Sequence, residues 1–110
     1  MKLENSFKWT ARDGLKATTG DNINLSDCVD KEIIVRGAAV YSDVDAYGEI
    51  RDVAYIRDST DTIFATVSKT AAQAIGFIIA VMREERLQSM PVRVVEKSSG
   101  SGNKFITFTF

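Results

Sequence analysis

The order of strand-like and helix-like segments between Glu32 and Phe110 most constrains the fold of this chain. Three segments rich in β-branched residues come first, one strongly apolar helical segment follows, and two more strand-like segments complete the order. This β-β-β-α-β-β order predicts a mainly β protein. The five predicted strands are Lys31–Ser42, Glu49–Asp58, Thr62–Ser68, Val92–Lys97 and Lys104–Phe110.

The same order is that of an OB-fold, a five-stranded Greek-key barrel with one α-helix between its third and fourth strands. Gly37 lies in the middle of the first predicted strand, where a glycine often marks a bulge or a bend. A long, bent first strand is what such a barrel requires. We therefore predict one domain over residues 1–110, in which residues 1–30 form an N-terminal extension that packs on the barrel.

The predicted helix is apolar on all sides over Ala74–Met82. Thr70 and Gln73 fit a capping box at its start, and Pro91 lies beyond its end and opens the fourth strand. A helix of this character is usually buried on more than one side. Two interpretations remain open, since the helix either plugs the bottom of the barrel or offers a surface for self-association.

The first thirty residues carry weaker signals. Phe7–Thr10 is predicted as a short strand, Arg12–Gly14 as a turn and Thr18–Asn24 as a polar loop. Leu25–Val29 reads as a short turn that leads into the first barrel strand.

The composition disfavours catalysis and metal binding. The chain contains no histidine and a single cysteine, Cys28, so it lacks the commonest general base and cannot form a structural zinc site. No two carboxylates have a spacing that indicates acid–base catalysis, since the turns alone account for those present. We therefore expect neither an enzyme nor a cofactor.

Several features predict a cytoplasmic protein. The longest apolar stretch, Ala71–Met82, is shorter than the about 20 residues that a membrane span needs. The start lacks a basic stretch followed by an apolar run, which a secretory signal would show. The lone Cys28 excludes an internal disulfide and suits a reducing compartment.

The outward faces of the second and third predicted strands carry residues suited to single-stranded nucleic acid. Alternation places Arg51, Tyr55 and Arg57 on one face of the second strand. On the third strand it predicts that Phe64 points outward, so that Tyr55 and Phe64 share an exposed surface. The residues of the third strand predicted to point inward are Ile63, Ala65 and Val67.

Such a surface binds nucleic acid through two kinds of contact. Aromatic rings stack on bases, at about 1–3 kcal/mol each, and basic side chains meet phosphates. The net charge of −1 does not favour nucleic acid by itself, but a local groove can bind against a negative total. The further predicted contacts are Tyr41, Tyr47, Arg36, Arg93, Lys97 and Lys104.

Five segments of the chain resemble small single-stranded DNA-binding proteins of bacteriophages and related mobile elements. The resemblance covers about residues 25–110 and implies an OB barrel that binds single strands with little sequence preference, in phage DNA replication or recombination. It implies no catalytic residues. The segments that carry it are Leu25–Ile33, Tyr41–Asp43, Thr62–Ser68, Pro91–Lys97 and Lys104–Phe108.

Two other functions remain open from the residues. The apolar helix and the Thr/Phe-rich last strand also suit a small structural or assembly protein, whose edge strand pairs with another copy. A homo-oligomer would then be expected. An oligosaccharide-binding or nuclease-like role would need clustered carboxylates, and the second strand offers Glu49, Asp52 and Asp58.

Overall fold

The computed structural model describes residues 1–110 and has a mainly β architecture with two helices. One curled sheet contains all the strands, and the longer helix lies inside the curl. A short 3-10 turn, Leu25–Cys28, precedes the third strand. The elements are β1 Lys2–Phe7, α1 Ala11–Thr18, β2 Ile23–Asn24, β3 Glu32–Val44, β4 Ile50–Asp58, β5 Ile63–Thr66, α2 Lys69–Glu84, β6 Met90–Ser98 and β7 Lys104–Thr109.

Strand β3 organises the sheet because it pairs on both of its edges. One edge pairs antiparallel with β4, from Val35 to Val44. The other edge is divided, since its first part pairs with β6 and its last part pairs with β1. The register shifts between Val35 and Gly37, so the predicted irregularity at Gly37 is confirmed. The bend lets one strand serve both halves of the curled sheet.

The predicted order of five strands and one helix is confirmed between β3 and β7, but the total of five strands and one helix is wrong. The sheet has seven strands, because β1 pairs with β3 and β2 pairs parallel with β5. The second helix is α1. These additions all come from the first thirty residues, where the sequence signals are short.

Helix α2 fills the concave side of the sheet. Ile75, Ile78, Ile79 and Met82 are fully buried there, in one cluster with residues from β3, β4, β6 and β7. We call this cluster the main core. The apolar side chains at i, i+3, i+4 and i+7 explain why the helix packs on the sheet along this stripe.

The start of α2 differs from the prediction. The N-cap is Ser68, whose hydroxyl accepts from the amide of Ala71, and the predicted cap Thr70 lies inside the helix. Ser68 and Thr70 are both good caps by type, so the position at which β5 ends decides between them.

Neither helix has the length and apolar character that a membrane span requires.

The N-terminal segment also differs from the prediction. Residues predicted as a turn form the first part of α1, which begins with a capping box between Thr10 and Asp13. The strand predicted at Phe7–Thr10 lies earlier, as β1. A helix with Gly14 in its middle has weak intrinsic propensity, so its packing on the sheet accounts for its formation.

Gly37 is expected to tolerate no side chain. A Cβ atom there would lie 2.6 Å from the carbonyl oxygen of Lys8 and 2.9 Å from the guanidinium of Arg57. We expect Gly37→Ala to lower the free energy of unfolding by about 1–3 kcal/mol, because this overpacking pushes the N-terminal segment off β3. Urea denaturation measures the effect.

The matched control is Gly76→Ala in α2, where an added Cβ meets nothing within 4 Å. This variant is expected to gain about 0.5–1 kcal/mol from helix propensity. Equal stability of the two variants would contradict the close approach at Gly37.

Candidate nucleic-acid interface

The sheet formed by β3, β4 and β5 has two chemically different faces. Side chains of Ala54 and Ile56 point into the main core. Side chains of Val53 and Tyr55 point to the opposite side, which we call the outer face. Strand pairing places Tyr41 of β3 on this face as well, since it lies opposite Val53.

Phe64 does not lie on the outer face. It pairs with Ile56, so its ring points into the main core, where it is 9% exposed. The prediction that Phe64 and Tyr55 share an exposed surface is therefore wrong. Ile63 and Ala65 occupy the outer face instead, the reverse of the predicted alternation. Both faces of β5 are covered, so its apolar residues show no clear period of two.

Tyr55 lies on the outer face but is only 5% exposed. The indole of Trp9 stacks on its ring at 5.9 Å between centroids, and the ring of Tyr41 meets it edge-on at 5.7 Å. The pKa of Tyr55 is raised, first because burial disfavours the phenolate and then because Tyr41 and Asp43 lie near. Tyr55 is thus a buried anchor of the outer face and not a free stacking surface.

Helix α1 covers this part of the outer face. Ala17 is buried against Tyr55 and Ile63, and the indole nitrogen of Trp9 donates a hydrogen bond of 2.8 Å to the hydroxyl of Tyr41. The N-terminal segment therefore covers the outer face as far as Tyr41.

Arg57 fastens α1 to the sheet. Its guanidinium forms an ion pair with Asp13 of α1 and donates to the backbone carbonyls of Lys8 and Arg36. The side chain is 14% exposed, and Asp61 lies 3.7 Å away as a further partner. These contacts occupy the donors with which Arg57 was predicted to bind phosphates.

Next to the part that the N-terminal segment covers, a row of apolar residues crosses the outer face. Leu3 lies opposite Tyr41, which lies opposite Val53. The pairing of Ala54 with Thr66 places Val67 next in the same row, where it is 74% exposed. We call these four residues, Leu3, Tyr41, Val53 and Val67, the outer groove. Leu3 and Val67 are exposed, whereas Tyr41 and Val53 are half-buried against the cluster around Tyr55. An apolar row with exposed members is unusual on the solvent side of an antiparallel sheet.

One end of the outer groove carries basic side chains. Val67 shares a cleft of about 260 Å³ with Arg51, Asp52 and Lys69. Arg51 is exposed and contacts Asp45 at 3.2 Å, whereas Lys69 has no ion-pair partner. The cleft thus places a free ammonium and a partly neutralised guanidinium beside an apolar surface.

The β3–β4 hairpin ends in an ordered tip that presents Tyr47. The carboxylate of Asp45 accepts from the amides of Glu49 and Tyr47, at 3.0 and 2.8 Å. These two bonds, with the nearby Arg51, hold the pKa of Asp45 below its usual range. Tyr47 itself is 90% exposed, so its ring is free to stack.

The remaining predicted contacts are dispersed over the sheet, and one of them, Lys104, shares a cleft of about 390 Å³ with Val67 of the outer groove. Arg93 of β6 donates to the carbonyl of Asp30 at 2.7 Å, and Lys104 of β7 contacts Glu96 at 3.7 Å. Lys97 is exposed on the same β6–β7 hairpin. Arg36 is exposed at the irregular part of β3. The structure therefore does not bring the ten predicted residues into one surface.

Comparison with known proteins identifies the family. A family model described as "Phage Single-stranded DNA-binding protein" matches residues 8–110. The chain belongs to this phage family. A single-stranded DNA-binding protein of Bacillus phage B103 is 30% identical over 96% of this chain and 93% of its own length. Another, of Bacillus phage phi29, is 30% identical over 83% of this chain and 77% of its own length. No solved structure matches.

In this member of the phage family, four residues in or beside the outer groove were not among the predicted site residues. Trp9 and Leu3 belong to the N-terminal segment, and Val67 and Lys69 lie at the junction between β5 and α2. One signal was present, since Trp9 is the only tryptophan and stands in a polar segment. Nothing in the local pattern indicates that Leu3 and Val67 end up in one row.

Proposed function

We propose that this chain is a non-enzymatic protein that binds single-stranded DNA with little sequence preference through the outer groove. It acts in phage DNA replication and recombination, in the cytoplasm of the host cell. The observation that carries the proposal is the open apolar row of the outer groove, flanked by Trp9 on one side and by Arg51 and Lys69 on the other. Membership of the phage family supports the same ligand.

An OB-type barrel is the architecture we propose for the part from β3 to β7. The sheet order β5-β4-β3-β6-β7, with α2 between β5 and β6, supports it. The gap between β5 and β7 is partly occupied by β2, which pairs with Phe64 and Ala65. The N-terminal segment thus contributes a strand at the seam of the barrel.

The chemistry of the outer groove suits bases more than a duplex. Unstacked bases offer flat apolar faces that pack on Tyr41, on the exposed ring of Tyr47 and on the aliphatic side chains of the row. Such contacts tolerate every base, because each has a π-face. Paired bases within a duplex do not present these faces.

The electrostatics of the outer groove predict a modest dependence on salt. The acidic Asp43 and Asp52 lie close to Arg51, so few phosphates are neutralised there. Each phosphate contact contributes about −0.7 to the slope of log K against log salt for a single strand. A shallow slope is therefore expected if the outer groove acts alone.

Trp9 provides the direct test of this site, since it is the only tryptophan and lies at the edge of the groove. Oligothymidine is expected to quench its fluorescence with the same midpoint as the anisotropy of a labelled oligonucleotide, at two salt concentrations. Duplex DNA of the same length is the control and is expected to change neither signal. Absence of binding at low salt would contradict the proposal, and sedimentation would then test an assembly role.

A pair of matched variants locates the site. Val67→Glu places a negative charge in the outer groove, and Phe77→Glu places the same charge on α2, where Phe77 is 72% exposed. Val67→Glu is expected to weaken binding roughly tenfold or more, since like charges at an interface cost several kcal/mol. Phe77→Glu is expected to bind as the unmodified protein does. Equal effects would place the DNA elsewhere.

A further inference from the structure

A cluster of basic side chains lies next to the N-terminal segment, at the C-terminal end of α2. We call it the basic corner, and it consists of Lys8, Arg36, Arg83 and Arg86. These residues come from the β1–α1 junction, from the irregular part of β3, from the last turn of α2 and from the loop that follows α2. Their positions in the sequence give no sign of this cluster.

Hydrogen bonds show that these segments meet. The ammonium of Lys8 donates to the side-chain oxygen of Gln88 at 2.5 Å, and Arg83 donates to the carbonyl of Ser6. Both bonds join the segment after β1 to the end of α2 and the loop that follows it.

A second set of bonds places Arg36 in the same region. The guanidinium of Arg57 donates to the carbonyl of Lys8 at 2.8 Å and to that of Arg36 at 3.3 Å. In addition, Val35 pairs with Met90, two residues after Gln88. The backbone that carries the basic corner is therefore fixed by the fold.

The charges of the basic corner are not neutralised. All four side chains belong to exposed residues, and none forms an ion pair. Glu84 ends α2 and Glu85 is its C-cap residue, but neither makes an ion pair with these side chains. By contrast, the arginines nearest to the outer groove, Arg51 and Arg57, both contact carboxylates.

The basic corner lies on the side of the outer groove that Trp9 flanks. Lys8 directly precedes Trp9, whose indole contacts Tyr41 at the edge of the groove. A single strand that leaves the groove over Trp9 therefore meets Lys8 first and the arginines next. Guanidinium groups suit phosphates because their fork of donors matches two oxygens.

We propose that the basic corner binds the phosphates of the same DNA strand beyond the outer groove. This inference rests on the proposed function and extends its site. The groove contacts bases, whereas the basic corner supplies most of the phosphate contacts and hence most of the dependence on salt. The site for a long strand is then larger than the outer groove.

The experiment compares Arg36→Gln/Arg86→Gln with Lys31→Glu, since both change the net charge by the same amount. Lys31 lies before the start of β3, away from the corner. Binding of oligothymidine of about 5 and about 16 nucleotides is measured by anisotropy over a range of salt concentrations. Trp9 fluorescence reports occupancy of the outer groove in every titration.

For the long oligonucleotide, the double variant is expected to bind more weakly, with a salt slope smaller by about 1.4, because two contacts of about 0.7 each are lost. The short oligonucleotide is expected to bind all proteins equally, and Lys31→Glu is expected to match the unmodified protein.

Three outcomes would overturn the inference. An unchanged salt slope in the double variant, with lower stability in urea, would mean that the basic side chains only stabilise the C-terminus of α2 through the helix dipole. An equal loss in Lys31→Glu would mean that net charge alone matters. An equal loss for short and long oligonucleotides would mean that the corner is part of the primary site. Failure of the unmodified protein to bind would instead contradict the proposed function itself.

Discussion

Tyr55→Ala is expected to lower the free energy of unfolding by about 3–5 kcal/mol, the range for aromatic truncations in protein cores. Tyr55 is almost fully buried between Trp9, Tyr41 and the helix α1. Its removal leaves a cavity under α1 and deprives the indole of its stacking partner. Urea denaturation followed by Trp9 fluorescence and by circular dichroism measures the change.

The control for this prediction is Tyr47→Ala, because Tyr47 is almost fully exposed at the hairpin tip. A surface substitution of this kind changes stability by about 0.5 kcal/mol or less. If Tyr55→Ala is as stable as Tyr47→Ala, the packing of α1 on the outer face is wrong. The pair also separates effects on DNA binding, since only Tyr47 offers a free ring.

Arg57→Met is expected to lower the free energy of unfolding by about 3–5 kcal/mol, the cost of breaking a buried ion pair on one side. The change leaves Asp13 without its cation and the carbonyls of Lys8 and Arg36 without a donor. The mostly buried position of both charged groups makes this pair stronger than a surface pair. The emission of Trp9 is expected to shift to the red as α1 loosens.

A double-mutant cycle with Asp13→Asn tests the cause. The double variant Arg57→Met/Asp13→Asn is expected to be less destabilised than the sum of the two single variants, because no unpaired charge remains. Additive losses would show that the two groups do not interact. The cycle also matters for function, since a phosphate-binding role for Arg57 would require this ion pair to open.

The segments from β3 to β7 were predictable because their signals are local. The segments rich in β-branched residues, the glycine in β3 and the apolar run of α2 are each recognisable within a few residues. The resemblance to phage single-stranded DNA-binding proteins rested on the same segments, and the family match confirms it. The roles of the ten predicted contact residues stay predictions.

The placement of the candidate site was not predictable, because it depends on what covers each face. Phe64 and Ile63 are both apolar, and only pairing with Ile56 decides which of them enters the main core. The sequence predicts Tyr55 as an exposed aromatic residue beside two arginines, whereas in the structure α1 covers it.

The sequence alone therefore predicted the order of the central elements, since periodicity and turn chemistry are properties of short windows. It predicted the class of ligand through its resemblance to phage single-stranded DNA-binding proteins. The tertiary structure alone decided that the first thirty residues supply two strands and a helix, that Arg57 fastens α1, and that Leu3 and Val67 join one row. The physical reason is that burial and charge pairing arise between segments far apart in the chain. Contacts of that kind leave no local pattern in the residues that make them.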